Sequence, residues 1–116
     1  MILSVFSNTQ QGLAGLASIT IPYVGIQENA SMLIREHPIK VVVGNVTYIA
    51  RILGNERPDG TWEGWIEFHP RDSSHPILST ERETSQPNLG ALEYWAHGLE
   101  PVYLEGALAR AQGRLL

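Results

Sequence analysis

An alternating segment that follows a cluster of turn residues restricts the fold of this 116-residue sequence more than any other feature. Residues 55–60 read Asn-Glu-Arg-Pro-Asp-Gly, in which proline presets φ and glycine accepts a positive φ. Residues 46–53 before this turn are rich in branched and aromatic side chains, which favour strands. Residues 62–69 after it place every second side chain on a common face. The segment therefore predicts an antiparallel hairpin over residues 46–68 with one face in the core.

Shorter elements are expected before and after this hairpin. Residues 2–6, 18–24, 40–43 and 77–80 have the composition of short strands, and Gly44-Asn45 is typical of a tight turn. Residues 27–36 predict a short helix that is capped by Asn29 and stopped by Pro38.

The apolar period changes from two to helical in the last quarter of the chain. A first helix is expected to begin after a polar turn, with Ser85 or Asn88 as its cap, and to end near Gly98. Pro101 suits the first position of a second helix, which runs towards Gly113. The apolar positions of the first helix are Leu89, Leu92, Trp95, Ala96 and Leu99. The sequence thus predicts one α+β domain over residues 1–116, an antiparallel sheet of about four to six strands packed by two short C-terminal helices.

Charge and cysteine content exclude several kinds of function. Eight basic and twelve acidic residues give a formal charge of −4, which argues against nucleic acid as a partner. Without cysteine the chain has no disulfide, no thiolate metal site and no cysteine nucleophile. Neither a nucleophile elbow nor a phosphate-binding glycine motif occurs, so we assign no catalytic residue and no cofactor.

Residues 1–27 contain no charged side chain. They lack the basic start of a secretory signal, and polar residues and Pro22 interrupt the apolar stretches that a membrane span would need. We therefore expect a cytoplasmic protein with no membrane partner. Burying an unpaired charge is unfavourable, so uncharged segments are typical of a core or of an interface with another subunit. We therefore expect self-association.

Four aromatic side chains are the candidates for an interface. Trp65 falls on the polar face of its strand, so either the C-terminal helices cover it, which we favour, or it contacts a partner or ligand. Tyr94, Trp95 and Tyr103 concentrate aromatic surface on the two helices, and such residues are enriched in interface cores as well as in domain cores.

One loop offers a possible metal site. His69, Asp72 and His75 supply two imidazoles and a carboxylate, which is enough for zinc with one open position, and Glu67 lies nearby. The spacing matches no short helical zinc motif, so an ordinary polar loop is the favoured interpretation. The alternative function that follows is a small metal-dependent hydrolase or ligand-binding protein.

The order of a hairpin with an acidic and aromatic strand, a further short strand and a helix after a polar turn resembles the HicB-type antitoxins over residues 46–111. That resemblance implies a partial ribonuclease H-like fold and an inhibitory surface without a complete catalytic carboxylate set. The stretch Tyr103-Leu104-Glu105-Gly106-Ala107-Leu108 is also similar to small bacterial proteins of no assigned function. The uncharged residues 1–27 and the aromatic positions, together with the lack of a catalytic motif, favour a small interaction or regulatory module that is homo-oligomeric over an enzyme.

Overall fold

The computed structural model describes residues 31–113, which belong to a compact unit that begins at Ser31. This part of the chain forms six strands followed by two helices. The strands are β1 (Met32–Glu36), β2 (Val41–Val43), β3 (Val46–Glu56), β4 (Trp62–Pro70), β5 (Leu78–Ser79) and β6 (Thr84–Gln86). The helices are α1 (Leu89–His97) and α2 (Pro101–Gly113).

All six strands lie in one antiparallel sheet built on the β3–β4 hairpin, so the predicted α+β fold is confirmed. The hairpin register runs from Tyr48 opposite Pro70 to Glu56 opposite Trp62. Gly60, with φ of 88°, lies in the connecting turn, as the turn residues predict. β1 and β2 pair with successive parts of β3, while β6 and β5 pair with successive parts of β4. Each side of the central hairpin is therefore flanked by two short strands.

The core lies between one face of this sheet and the two helices. Burial alternates along both long strands, because successive side chains of a strand point to opposite faces. α1 packs across β1, β3, β4 and β6, and α2 packs over β5 and β2. The largest fully buried side chains are Phe68, Ile52, Ile66, Leu92, Leu104 and Leu108.

A pair of glycines lets α1 approach the sheet closely. Gly54 and Gly64 lie opposite each other in the hairpin, and Leu92 of α1 packs over both. A Cβ atom added to Gly54 would lie 2.5 Å from Leu92 Cδ2, and one added to Gly64 would lie 2.8 Å from Leu92 Cδ1. Only glycine leaves room for this leucine without a shift.

Two polar contacts hold the helices in place. The side chain of Asn88 accepts a hydrogen bond from the Ala91 N–H at 2.8 Å, which confirms it as the cap of α1. The buried ring of His37 lies between the sheet edge and the α1–α2 connection. Its Nδ1 accepts from the Ile39 N–H, and its Nε2 lies 3.0 Å from the Leu99 carbonyl oxygen, to which it donates in that tautomer.

The expected helix over residues 27–36 is wrong where the structure describes it. Residues 32–36 form β1 because pairing with β3 satisfies their backbone, with Glu36 opposite Arg51. Strand β6 was not predicted, since its residues are polar and it depends on pairing with β4. The expected strands over residues 2–6 and 18–24 lie outside the described residues.

Candidate functional site

An open groove between α1, α2 and strand β6 brings three of the four predicted interface aromatics together. We call it the aromatic groove, and its volume is about 510 Å³. Gln86 contributes from β6, Gly98 and Leu99 from the helix connection, and the remaining residues from the helices. The lining residues are Gln86, Ala91, Tyr94, Trp95, Gly98, Leu99 and Tyr103.

The three aromatic rings of this groove differ in their surroundings. Trp95 and Tyr103 are half-buried and meet edge to face, with ring centroids 6.2 Å apart and planes at 89°. This arrangement is favoured for aromatic pairs and fixes both rings. Tyr94 on α1 is 85% exposed. The groove thus combines two fixed rings with one that projects into solvent.

A polar cluster anchors the Tyr103 end of the groove. The Tyr103 hydroxyl donates to Glu83 Oε1 at 2.5 Å, and the guanidinium of Arg110 also donates to this carboxylate. Arg110 lies over the Tyr103 ring, 5.6 Å from its centroid. Burial, and then the hydrogen bond to Glu83, raise the pKa of Tyr103 to about 12. The Tyr103 hydroxyl therefore keeps its proton above its ordinary pKa of 10.0.

Sequence reasoning identified the rings of the groove but missed this cluster. Tyr103 and Arg110 are seven residues apart on α2, a spacing that places them on one face of a helix and so gave a usable signal. Glu83 lies in the segment between β5 and β6 and carried no such signal. Its position depends on the pairing of that segment with β4, because the Glu83 N–H donates a hydrogen bond to the Gly64 carbonyl oxygen.

The fourth predicted aromatic, Trp65, lies elsewhere. Its strand partner is Leu53, and both lie on the sheet face opposite the helices, which we call the far face. The expectation that the C-terminal helices cover Trp65 is wrong, because both helices pack on the face that carries Ile66 and Phe68. Leu33 of β1 is opposite Leu53. Leu33, Leu53 and Trp65 therefore form an apolar row across the far face.

Each of the three residues of the predicted metal site has a hydrogen-bonding partner of its own in the structure. His69 lies on the far face, where its Nε2 is 3.0 Å from Glu67 Oε1. Asp72 accepts from the Ser74 N–H, and this bond lowers the pKa of its carboxyl. His75 Nδ1 lies 3.2 Å from the Ser74 hydroxyl oxygen.

Asp72 and His75 line a polar pocket of about 210 Å³ together with Arg71. Within residues 31–113, no three His, Asp or Glu side chains are arranged to hold a metal ion.

Comparisons with other proteins identify no family for the chain. No protein-family model matches it, and neither curated proteins nor solved structures include a match. No helix in the described part of the chain has both the length and the apolar character of a membrane span.

Proposed function

We propose that this chain is a small protein-interaction or regulatory module that self-associates and binds another protein through the aromatic groove. The observation that carries the proposal is the convergence of Tyr94, Trp95 and Tyr103 on one open, largely apolar groove. Tyrosine and tryptophan are enriched at the energetically dominant positions of protein interfaces.

The geometry of the groove supports binding more than a purely structural role. The fixed pair of Trp95 and Tyr103 loses little conformational entropy when a partner packs against it. Tyr94 is mostly in solvent, so it contributes little to the core of this fold and retains its apolar area for a partner. A groove of about 510 Å³ accommodates one or two large apolar side chains of a partner segment.

Site-specific photocrosslinking tests the groove directly. A photoreactive phenylalanine analogue is placed at Tyr94 in the full chain, in the cells that produce it. Val102 is the matched control position, because it is 72% exposed on α2 and does not line the groove. We expect a defined crosslinked protein from position 94 that is absent from position 102. The same products from both positions, or none from position 94, would contradict binding through the groove.

The uncharged residues 1–27 are the other part of the proposal, and they lie outside the described residues. We propose that this stretch contributes to self-association, since an uncharged surface is inexpensive to bury between subunits. Light scattering of the full chain and of a truncation that lacks residues 1–27 measures this contribution. An unchanged monomeric mass in both would remove this part of the proposal.

A further inference from the structure

Exposed apolar side chains concentrate along one edge of the sheet. Of the eight large apolar side chains that are exposed among the described residues, five lie in β1, β2 and the loop between them. They are Met32, Leu33, Ile39, Val42 and Val43. We call this boundary the β1–β2 edge.

The backbone of the β1–β2 edge is paired on one side. β1 and β2 both pair with β3, and no other described strand pairs with either of them. Sheet edges in soluble proteins are usually protected by charges, prolines or bulges, because their free N–H and C=O groups bind other strands. β2 consists of three valines, of which Val42 is 61% exposed. β2 itself therefore contains none of these protecting features, although Pro38 and the irregularity of β1 lie on the same edge.

We propose that the β1–β2 edge pairs with the same edge of a second copy, antiparallel and about a twofold axis near Pro38. This inference rests on the self-association in the proposed function and is independent of the aromatic groove. A twofold axis brings the same surface of both copies into contact, as in most homodimers. β1 of each copy then lies beside β2 of the other.

Charge complementarity supports this register. Glu36 and Lys40 are both exposed and lie two residues before and two residues after Pro38. An antiparallel pairing centred on Pro38 therefore places Glu36 of each copy opposite Lys40 of the second copy. Opposite charges across a strand pair are favourable, and like charges are unfavourable. Pro38, which has no N–H to donate, falls at the axis between the two short ladders.

The apolar side chains also match in this arrangement. Leu33 is opposite Leu53 and Val42 is opposite Thr47, so both lie on the far face. β1 is irregular between Leu33 and Arg35, which shifts its register by one residue. This shift brings Leu33 of one copy opposite Val42 of the second copy. The pairing thus covers exposed apolar surface and extends the far face across both copies.

Sedimentation velocity of the full chain over a range of concentrations tests the pairing. The first variant is Val42→Lys, which puts a charge in the centre of β2, and its control is Val102→Lys on the exposed face of α2. We expect Val42→Lys to raise the dimer dissociation constant by about tenfold or more, while the control leaves it within about twofold of the wild type. Equal effects of the two substitutions, or a wild-type chain that stays monomeric at every concentration, would overturn the inference.

A charge exchange tests the register without altering the core, because both side chains are exposed. Glu36→Lys and Lys40→Glu each place like charges opposite one another in both ladders, and each is expected to weaken the dimer by about fivefold. The double variant restores the opposite charges and is expected to recover wild-type affinity. The Glu36–Arg51 ion pair is lost in the single and the double Glu36 variants alike, so recovery reports the contact between copies. Failure of the double variant to recover would overturn the register.

The aromatic groove provides the control that separates the two proposals. Tyr94→Ala is expected to leave the dimer dissociation constant unchanged, because Tyr94 lies on α1 and the edge is formed by β1 and β2. If Tyr94→Ala abolished the dimer and Val42→Lys did not, self-association would belong to the groove and the edge pairing would be overturned. The crosslink from position 94 tests partner binding through the aromatic groove, and its outcome does not depend on the dimer dissociation constants of these variants.

Discussion

The close contact between α1 and the sheet predicts that Gly54→Ala is destabilising. The φ angle of Gly54 lies outside the left-handed region, so the cost comes from the contact of the new Cβ atom and not from backbone strain. The new Cβ would lie 2.5 Å from Leu92 Cδ2 and 2.9 Å from the Glu63 carbonyl oxygen. Leu92 is fully buried, so its methyl group has no free space to move into. The Glu63 oxygen belongs to the neighbouring strand of the hairpin and cannot retract without disturbing the sheet.

Overpacking a core by one methyl group typically costs about 1–3 kcal/mol, and with two simultaneous contacts we expect a cost of about 2 kcal/mol here. Gly90→Ala is the matched control, because Gly90 is exposed on α1 and its new Cβ would meet only Asn88 Oδ1 at 3.5 Å. Alanine is the better helix former, so the control is expected to be neutral or to stabilise the chain by up to about 1 kcal/mol.

Urea denaturation followed by tryptophan fluorescence measures the free energy of unfolding of both variants. The same Gly54→Ala change is then made in a Leu92→Ala background, where the leucine methyl groups are absent. We expect most of the cost to disappear there, leaving the part due to the Glu63 oxygen. An equal cost in both backgrounds, or a cost below about 0.5 kcal/mol in the wild type, would refute the role assigned to Leu92.

Three further predictions follow from the described contacts. His37→Ala leaves the Leu99 carbonyl and the Ile39 N–H without their partner and is expected to lower the free energy of unfolding by at least about 2 kcal/mol in urea titrations. The raised pKa of Tyr103 means that its neutral hydroxyl stabilises the fold fully below pH 10 and that this contribution is lost towards pH 12. Between pH 10 and pH 12, the free energy of unfolding of Tyr103→Phe should therefore fall less than that of the wild type. Zinc and then a chelator are expected to leave the melting temperature unchanged, and a stoichiometric ion that shifts it would restore the site at His69, Asp72 and His75.

The parts of this fold that local sequence determines were predictable. The hairpin follows from alternation and from the turn at residues 57–60, and both helices follow from apolar spacing with Gly98 and Pro101 between them. β1 was not predictable in this way, because Leu33 and Ile34 are compatible with a helix as well as with a strand. Tertiary pairing with β3 overrides that local preference.

The candidate site shows the same limit. The spacing of Tyr94, Trp95 and Tyr103 indicated shared aromatic surface, and all three line the groove. Alternation placed Trp65 on the polar face of its strand, but it could not show that the helices leave this face uncovered and pack on the side of Ile66 and Phe68. Glu83 was missed since its contact with Arg110 joins residues 27 positions apart.

The contact between His37 and Leu99 has a consequence for how the chain folds as it is synthesised. Its two ends are 62 residues apart in sequence, so the histidine emerges from the ribosome long before the carbonyl group that it needs. Until Leu99 is available, the His37 ring stays hydrated, and the end of β1 beside it is not held by this hydrogen bond. The nascent chain is therefore expected to complete this margin of its sheet only after Leu99 has left the ribosome.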